Sequence, residues 1–412
     1  VGTGVLRRKG EGSAKVDLDV ARVRADTPGC AEVVHFNNAG AALPPTQVTD
    51  AVIAHLREEA LRGGYEAAEV AAPAVERTYA AIAELIGCAA DEVALVENAT
   101  RAWDMAFYAL RFRPGDRILT ARAEYASNVI AFLQVARRSG ALVEVVDDDP
   151  SGQLDVADLR RRLGARGGPV RLVAVTHVPT QGGLVNPAEE IGAACREMGV
   201  PFLLDACQSV GQLRVNVTEI GCDLLSATGR KFLRGPRGTG FLYASRDAVG
   251  KLEPPLLDLH AATWTAPEEF EIRADARRFE TWEGNVAGKI GLGVAVDYAL
   301  AVGMPAIEAR VTALAGRLRQ RLVELPGVSV HDRGERRCGI VTFTLDGVPS
   351  ARVRDELRAA GINTSITEAA SARFDLPPRG LDELIRASVH YYNTTDEQDR
   401  LCERLQELTP SR

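Results

Sequence analysis

From about residue 45 to 250 the chain alternates helix-like amphipathic runs with short apolar runs bounded by Gly, Pro or Asp. The apolar runs are VALVE (93–97), RILT (117–120), LVEVV (142–146), RLVAVT (171–176), PFLLD (201–205), DLLSA (223–227) and TGFLYA (239–244). Runs this apolar suit strands buried on both faces of a largely parallel sheet, because crossover helices cover both sides of such a sheet. Between them lie helix candidates such as PAEEIGAACREMG (187–199), where Ile191, Cys195 and Met198 fall on one face. The pattern predicts an α/β sandwich with helices on both sides.

After about residue 285 the rhythm changes to long helical stretches, GKIGLGVAVDYALAVG and AIEARVTALAGRLRQRLVEL. VSVH, GIVTFTL, a helix near 350–360 and a RASVHYY strand follow. Helices followed by strands read as a smaller α+β domain, which predicts an N-terminal arm (1–34), a large domain (35–290) and a C-terminal small domain (291–412). The first dozen or so residues are rich in Gly and charge and read as a loose arm.

Composition removes several function classes. With 412 residues and 46% hydrophobic content the chain buries a large core, which excludes disorder. The 49 Lys+Arg against 56 Asp+Glu give a formal charge of −7, so nothing draws the chain generally to nucleic acid or anionic lipid. No run approaches the roughly 18 apolar residues of a membrane span, and no secretion signal is evident. Seven scattered cysteines without C-x-x-C suggest neither a disulfide framework nor structural zinc, and point to a reducing, cytoplasmic setting. The six histidines show no H-x-x-x-H pairing, and G-x-G-x-x-G, P-loop and G-x-S-x-G patterns are absent.

In open α/β sheets, ligands bind beyond the carboxyl ends of the strands. The residues there are Asn98-Ala99-Thr100, His177 to Thr180, Asp205 with Gln208, and Thr228-Gly229-Arg230-Lys231. Lys231 sits among glycines and small residues directly after an apolar strand, and reads either as a surface lysine or as a Schiff-base lysine. Asp205 ends an otherwise apolar strand; it is either the N-cap of a following helix or a carboxylate that meets a cation such as a pyridinium nitrogen. Ala99, Thr100, Thr228 and Arg230 are individually ordinary capping residues, and together they suit a phosphate dianion. Arg386, in an apolar strand of the second domain, is either a strand-end surface residue or the bidentate partner of a substrate carboxylate.

The blocks FNNAGAALPP (36–45), ENATRAWD (97–104), AEYASNVIAF (123–132), THVPTQGGLVNP (176–187), LLDACQSVGQ (203–212), SATGRKFLRGPRGTGFLY (226–243), FETWEGNVAG (279–288) and RASVHYYNT (386–394) resemble the class V aminotransferase family. That family includes cysteine desulfurases, selenocysteine lyases, kynureninases and isopenicillin-N-epimerase-like proteins. The resemblance implies the type I fold of pyridoxal 5'-phosphate (PLP) enzymes, a large mixed, mostly parallel sheet domain with a smaller α+β domain, and a homodimer. It makes Lys231 the Schiff-base lysine and general acid/base, Asp205 the partner of the pyridine nitrogen and Gln208 that of the ring hydroxyl. Thr180 stands where an asparagine is common near that hydroxyl. Ala99, Thr100, Thr228 and Arg230 would hold the phosphate and Arg386 the carboxylate of an amino-acid substrate.

Three departures sharpen the expectation. Ala126 aligns with a ring-stacking histidine, leaving Tyr125 as its candidate replacement; Glu283 stands where a threonine often reaches the partner subunit's phosphate. The loop GINTSITEAASARFDLPPRG carries Ala370 and Ser371 where persulfide-forming desulfurases carry a nucleophilic cysteine, and no cysteine lies between Cys338 and Cys402. Cys207 reads as a packing residue beneath the ring. The expected reaction is therefore a PLP-dependent β-elimination at the C–S bond of a cysteine derivative. Transamination, epimerisation, decarboxylation and a non-catalytic PLP-binding regulator are the alternatives. Trp103, His260 and Trp264 are further candidates for the substrate pocket.

Overall fold

The computed structural model describes residues 18–409; the sequence-predicted loose arm at the N-terminus lies outside the described residues. Seven strands, β1 (Val93–Val96), β2 (Arg117–Thr120), β3 (Leu142–Val145), β4 (Val170–Thr176), β5 (Phe202–Asp205), β6 (Leu224–Thr228) and β7 (Gly240–Ala244), form one sheet in the order β1-β7-β6-β5-β4-β2-β3. Each of the seven apolar runs becomes one strand. Neighbours are parallel except β7, which is antiparallel to both β1 and β6. The exception follows from the connection: residues 229–239 return from β6 to β7 without a crossover helix.

Burial on both faces holds for the central strands, where Leu172, Val173, Leu203 and Leu204 are fully buried. It fails at β3, whose Leu142 is 53% exposed because β3 is an edge strand. In the helix Ala188–Met198, Ile191 and Cys195 are buried as expected, with Ala194 beside them. Met198 is instead exposed, since the helix ends there at the left-handed Gly199 and its last turn runs past the sheet.

A second, antiparallel sheet has the order β8-β9-β11-β10, from β8 (Val328–Val330), β9 (Ile340–Leu345), β10 (Ser365–Glu368) and β11 (Glu383–Ser388). The helices Met304–Val323, Ser350–Ala359 and Thr395–Leu408 accompany it. The helix Val286–Val302 packs instead against the helices Thr46–Arg62 and Gly64–Ile86. The expected RASVHYY strand starts three residues earlier and stops at Ser388, because Asn393 accepts the His390 N–H at 2.7 Å and turns the chain away. Arg386 is thus a mid-strand residue, flanked by Thr342 and Ser365, and not a strand-end one.

The two sheets are joined by the segment at the start of the described chain. Val34 and His35 pair in parallel with Ile362 and Asn363, and Asn37 bridges to Ser388. Arg234 adds a buried cation to this junction. It is 1% exposed and donates to the Leu43 carbonyl (2.8 Å), the Tyr391 hydroxyl (2.8 Å) and the Thr27 hydroxyl (2.5 Å). The Tyr392 and Tyr391 rings lie 4.9 and 5.2 Å from its guanidinium carbon, supplying the attraction that an acid would otherwise provide. All seven cysteines are free thiols, and no single described helix is long and apolar enough to cross a membrane.

Candidate active site

At the carboxyl ends of β1, β4, β5 and β6 lies an open cavity of about 530 Å³. Its walls include Ala99, Thr100, Tyr125, Thr180, Asp205, Gln208, Thr228, Arg230 and Lys231, nine of the ten site residues expected from the sequence. The tenth, Arg386, stands behind the wall and donates to the carbonyl (3.2 Å) and hydroxyl (2.5 Å) oxygens of Thr180.

Lys231 is 7% exposed, which removes the surface-lysine alternative. The turn that carries it closes through an Arg234 N–H to Lys231 carbonyl bond of 2.9 Å. Burial pushes its amine down from the usual lysine range; Cys207 and Asp205 pull it back up, while Arg230 and Arg386 reinforce the fall. Asp205, 5% exposed, is followed by turns and not by a helix, so it caps no helix. Its Oδ1 accepts the Cys207 N–H at 2.9 Å and its Oδ2 the Asn128 amide at 3.0 Å. Burial raises the Asp205 carboxyl, and these two donors together with Lys231 oppose that rise.

Asn98 caps the helix Ala99–Phe107 by accepting the Arg101 N–H at 2.9 Å. That leaves the N–H groups of Ala99 and Thr100 for an anion in the cavity. Arg230 is anchored by donating to the Gly40 carbonyl, and Gln208 donates to the Ala39 carbonyl (3.1 Å) and the Thr180 hydroxyl (3.2 Å). The buried Gln208 Oε1 has no protein partner among the described residues. Arg386 is 8% exposed, contacts only neutral oxygens, and leaves its Nε unpartnered among the described residues. Burial and the nearby Arg230 push it down to about 10, so it stays charged at neutral pH. A buried guanidinium with no acid partner among the described residues suits an incoming carboxylate.

This donor set fits PLP. Ala99, Thr100, Thr228 and Arg230 could hold its phosphate, Asp205 its ring nitrogen, Gln208 its ring hydroxyl and Lys231 its carbonyl carbon, and all of them line the one cavity.

Some expectations are corrected. Trp103 is 2% exposed and packs with Phe107 and Phe132 in the core, because its helix turns that side toward the sheet. Trp264 is 71% exposed on the hairpin 262–272. His260 lies 3.4 Å from the buried Glu280, beside a separate surface depression that also takes in Glu283. None of the three lines the cavity.

Three residues went unremarked in the sequence. Asn128 and Thr176 line the cavity, and Glu124 lies just behind. Glu124 accepts the N–H groups of Tyr125 (2.8 Å) and Thr176 (2.9 Å), the Thr120 hydroxyl (3.1 Å) and the Asn128 amide (2.9 Å), and also meets the Thr176 hydroxyl. Burial pushes this carboxyl up to about 7 despite those bonds. The E-x-x-x-N spacing across a helix start was the available signal.

Comparison with known proteins places the chain in a family. A probable cysteine desulfurase of Methanothermobacter thermautotrophicus is 30% identical over 392 residues, covering 94% of this chain and 97% of that protein. Probable cysteine desulfurase 2 of Mycobacterium leprae is 32% identical over 409 residues, covering 93% and 95%. The apo structure of a cysteine desulfurase from Thermococcus onnurineus NA1 superimposes with a TM-score of 0.88 at 27% identity, covering 96% and 99%. The model of the class-V aminotransferases matches residues 34–401, and the chain belongs to that family of PLP-dependent enzymes.

Proposed function

We propose that the protein is a PLP-dependent lyase that cleaves the C–S bond of a cysteine derivative without a protein persulfide. The observation that carries this reading is the pairing, in one cavity, of the buried Lys231 amine with the buried Asp205 carboxyl. Similarity to proteins named cysteine desulfurases supports a sulfur-containing amino acid as substrate.

PLP, when bound, supplies a carbonyl that condenses with amines and a ring that accepts electrons from the substrate α-carbon. The chain supplies the rest. Lys231 would hold the carbonyl, and its lowered proton affinity favours the free amine that takes the α-proton. Arg386 binds and orients the α-carboxylate. Asp205 would hold the proton of the ring nitrogen, Gln208 and Thr180 would direct the ring hydroxyl, and Ala99, Thr100, Thr228 and Arg230 would anchor the phosphate. Tyr125, the N-cap of the helix Ala126–Ser139, lines the cavity and would supply the ring that stacks on the cofactor.

The loop 361–380, expected to lack the nucleophilic cysteine of persulfide-forming desulfurases, is folded around its own small core. Ala372, Leu376 and Leu384 pack together, and Ala370 and Ser371 stand on its outside. With no thiol there, the sulfur leaves on the substrate's own side chain, and hydrolysis of what remains gives pyruvate and ammonia. A second copy of the chain is proposed to cover Ile53, Leu56, Leu61 and Tyr65, apolar residues exposed along one pair of helices.

Two measurements test the reading. The protein loaded with PLP shows a visible absorbance band that Lys231→Ala abolishes; a band that survives the substitution defeats the assignment. S-substituted cysteines then yield thiol and pyruvate in equal amounts. Alanine as the carbon product, or a keto acid formed only with an added amino acceptor, would replace elimination by desulfuration or transamination.

A further inference from the structure

Two buried carboxyl groups share one amide. Asn128 Nδ2 donates at 2.9 Å to Glu124 Oε1 and at 3.0 Å to Asp205 Oδ2, so both hydrogens of the amide are committed. Asn128 is 2% exposed and Glu124 3%. Asn128 borders the cavity and Glu124 does not, so Glu124 would reach a bound cofactor only through another residue.

What Glu124 does contact explains its presence. Its two oxygens are held by backbone N–H groups from Tyr125 and Thr176 and by hydroxyls from Thr120 and Thr176, which belong to β2 and β4. The carboxyl is thereby fixed as an acceptor aimed at Asn128. An amide has two orientations of similar shape, one presenting N–H and the other C=O. With its carbonyl turned toward Asp205, Asn128 would set two acceptors against each other, which costs more in a buried site than in water. The acceptor at Glu124 makes the N–H orientation the favoured one. Asp205 then receives one donor on each oxygen, Cys207 N–H on Oδ1 and Asn128 on Oδ2, and donors to a carboxylate favour its charged form.

We propose that Glu124 and Asn128 are positioning residues: Glu124 sets the direction of the Asn128 amide, and Asn128 thereby holds Asp205 as an oriented anion toward the ring nitrogen. The proposal rests on the PLP reading above and deepens it. Asn128 acts through Asp205, and Glu124 acts through Asn128, at one further remove from the chemistry.

The test reads the ring nitrogen itself. PLP labelled with 15N in the ring is bound to the wild-type protein, to Asn128→Ala and to Glu124→Gln, and the nitrogen resonance reports the fraction protonated at fixed pH. Circular dichroism establishes folding, and PLP dissociation constants are measured in parallel. In Asn128→Ala the protonated fraction falls at least twofold and PLP binds about tenfold more weakly. Glu124→Gln, which puts an N–H into a ring of donors, moves both quantities in the same direction by less. A folded Asn128→Ala with the wild-type resonance overturns the proposal, and an unresponsive Glu124→Gln overturns the role of Glu124. Should Asn128→Ala not fold, Glu124→Gln decides alone. Absence of the Lys231-dependent band in the wild-type protein is a separate failure, that of the PLP reading.

Discussion

Arg386 reaches across from the second sheet and places its Nη1 2.5 Å from the hydroxyl of Thr180, in the loop that follows β4 of the first. The same hydroxyl receives Gln208 at 3.2 Å, so one threonine joins the proposed carboxylate anchor to the proposed ring-hydroxyl ligand. Replacing Thr180 by valine leaves two buried donors without that acceptor. We expect kcat/KM to fall about tenfold, since hydrogen bonds to charged groups contribute about 1.5–3 kcal/mol. Thr180→Ser restores most of the loss, and steady-state kinetics of the three proteins check it.

Arg386→Lys keeps the charge and loses the planar fork. The expected outcome is a kcat/KM lower by about 30-fold, or about 2 kcal/mol, carried mainly by KM for the amino acid. PLP affinity stays close to wild type, because the proposed role of Arg386 lies with substrate. A loss of PLP binding of the same size would reassign the residue.

The fold and the site were not equally legible before the structure. Apolar runs such as RLVAVT and PFLLD announce strands because a parallel sheet with helices on both faces leaves no polar side to alternate with. Lys231, Asp205 and Arg230 could be picked out because the residues after such strands share one end of the sheet. Glu124 and Asn128 could not: Glu124 is completed by Thr120 and Thr176 from two strands, and Asn128 meets Asp205 across 77 residues of chain. Aromatic identity misled at Trp103, since amphipathic helices place aromatics toward the sheet as readily as toward a cavity. The end of β11 was invisible because a side-chain bond from Asn393, and no break in hydrophobicity, stops the strand.

Among the described residues, Cys207 is the one thiol that lines the cavity, where it lies beside Lys231. Burial pushes it above the usual thiol range, which suppresses the thiolate a persulfide mechanism needs. Cys207→Ala is therefore expected to retain C–S cleavage within about threefold, or about 0.7 kcal/mol of activation free energy. Thiol and pyruvate release from S-substituted cysteines measures it; abolition of sulfur release would make Cys207 a nucleophile.

His177 is 1% exposed, and neither ring nitrogen has a partner among the described residues. Burial, with a contribution from Arg336, pushes it down to about 3 from an ordinary value of 6.5. As pH falls below 6.5 the unfolded chain takes up a proton that the folded one refuses, so stability declines with falling pH, by up to about 1.4 kcal/mol per pH unit, until the folded value is reached. His177→Leu removes this contribution, so the urea midpoint of the variant varies less between pH 6.5 and pH 4 than that of the wild type.

Arg234→Met tests the buried cation at the junction of the sheets. It strips a donor from the Leu43 carbonyl and from the Thr27 and Tyr391 hydroxyls at once. A loss of about 3 kcal/mol in unfolding free energy is expected from chemical denaturation.

The segment 34–43 bears on how the enzyme is made as well as on how it is held. Its carbonyls receive Gln208, Arg230 and Arg234, and its strand residues pair with Ile362 and Asn363, with Asn37 reaching Ser388. A ribosome therefore releases one lip of the pocket well before the strands that pair with it. The nascent chain carries Lys231 before it has a finished pocket around it, so assembly of the pocket waits for residues 362–388 to emerge, and cofactor capture follows them.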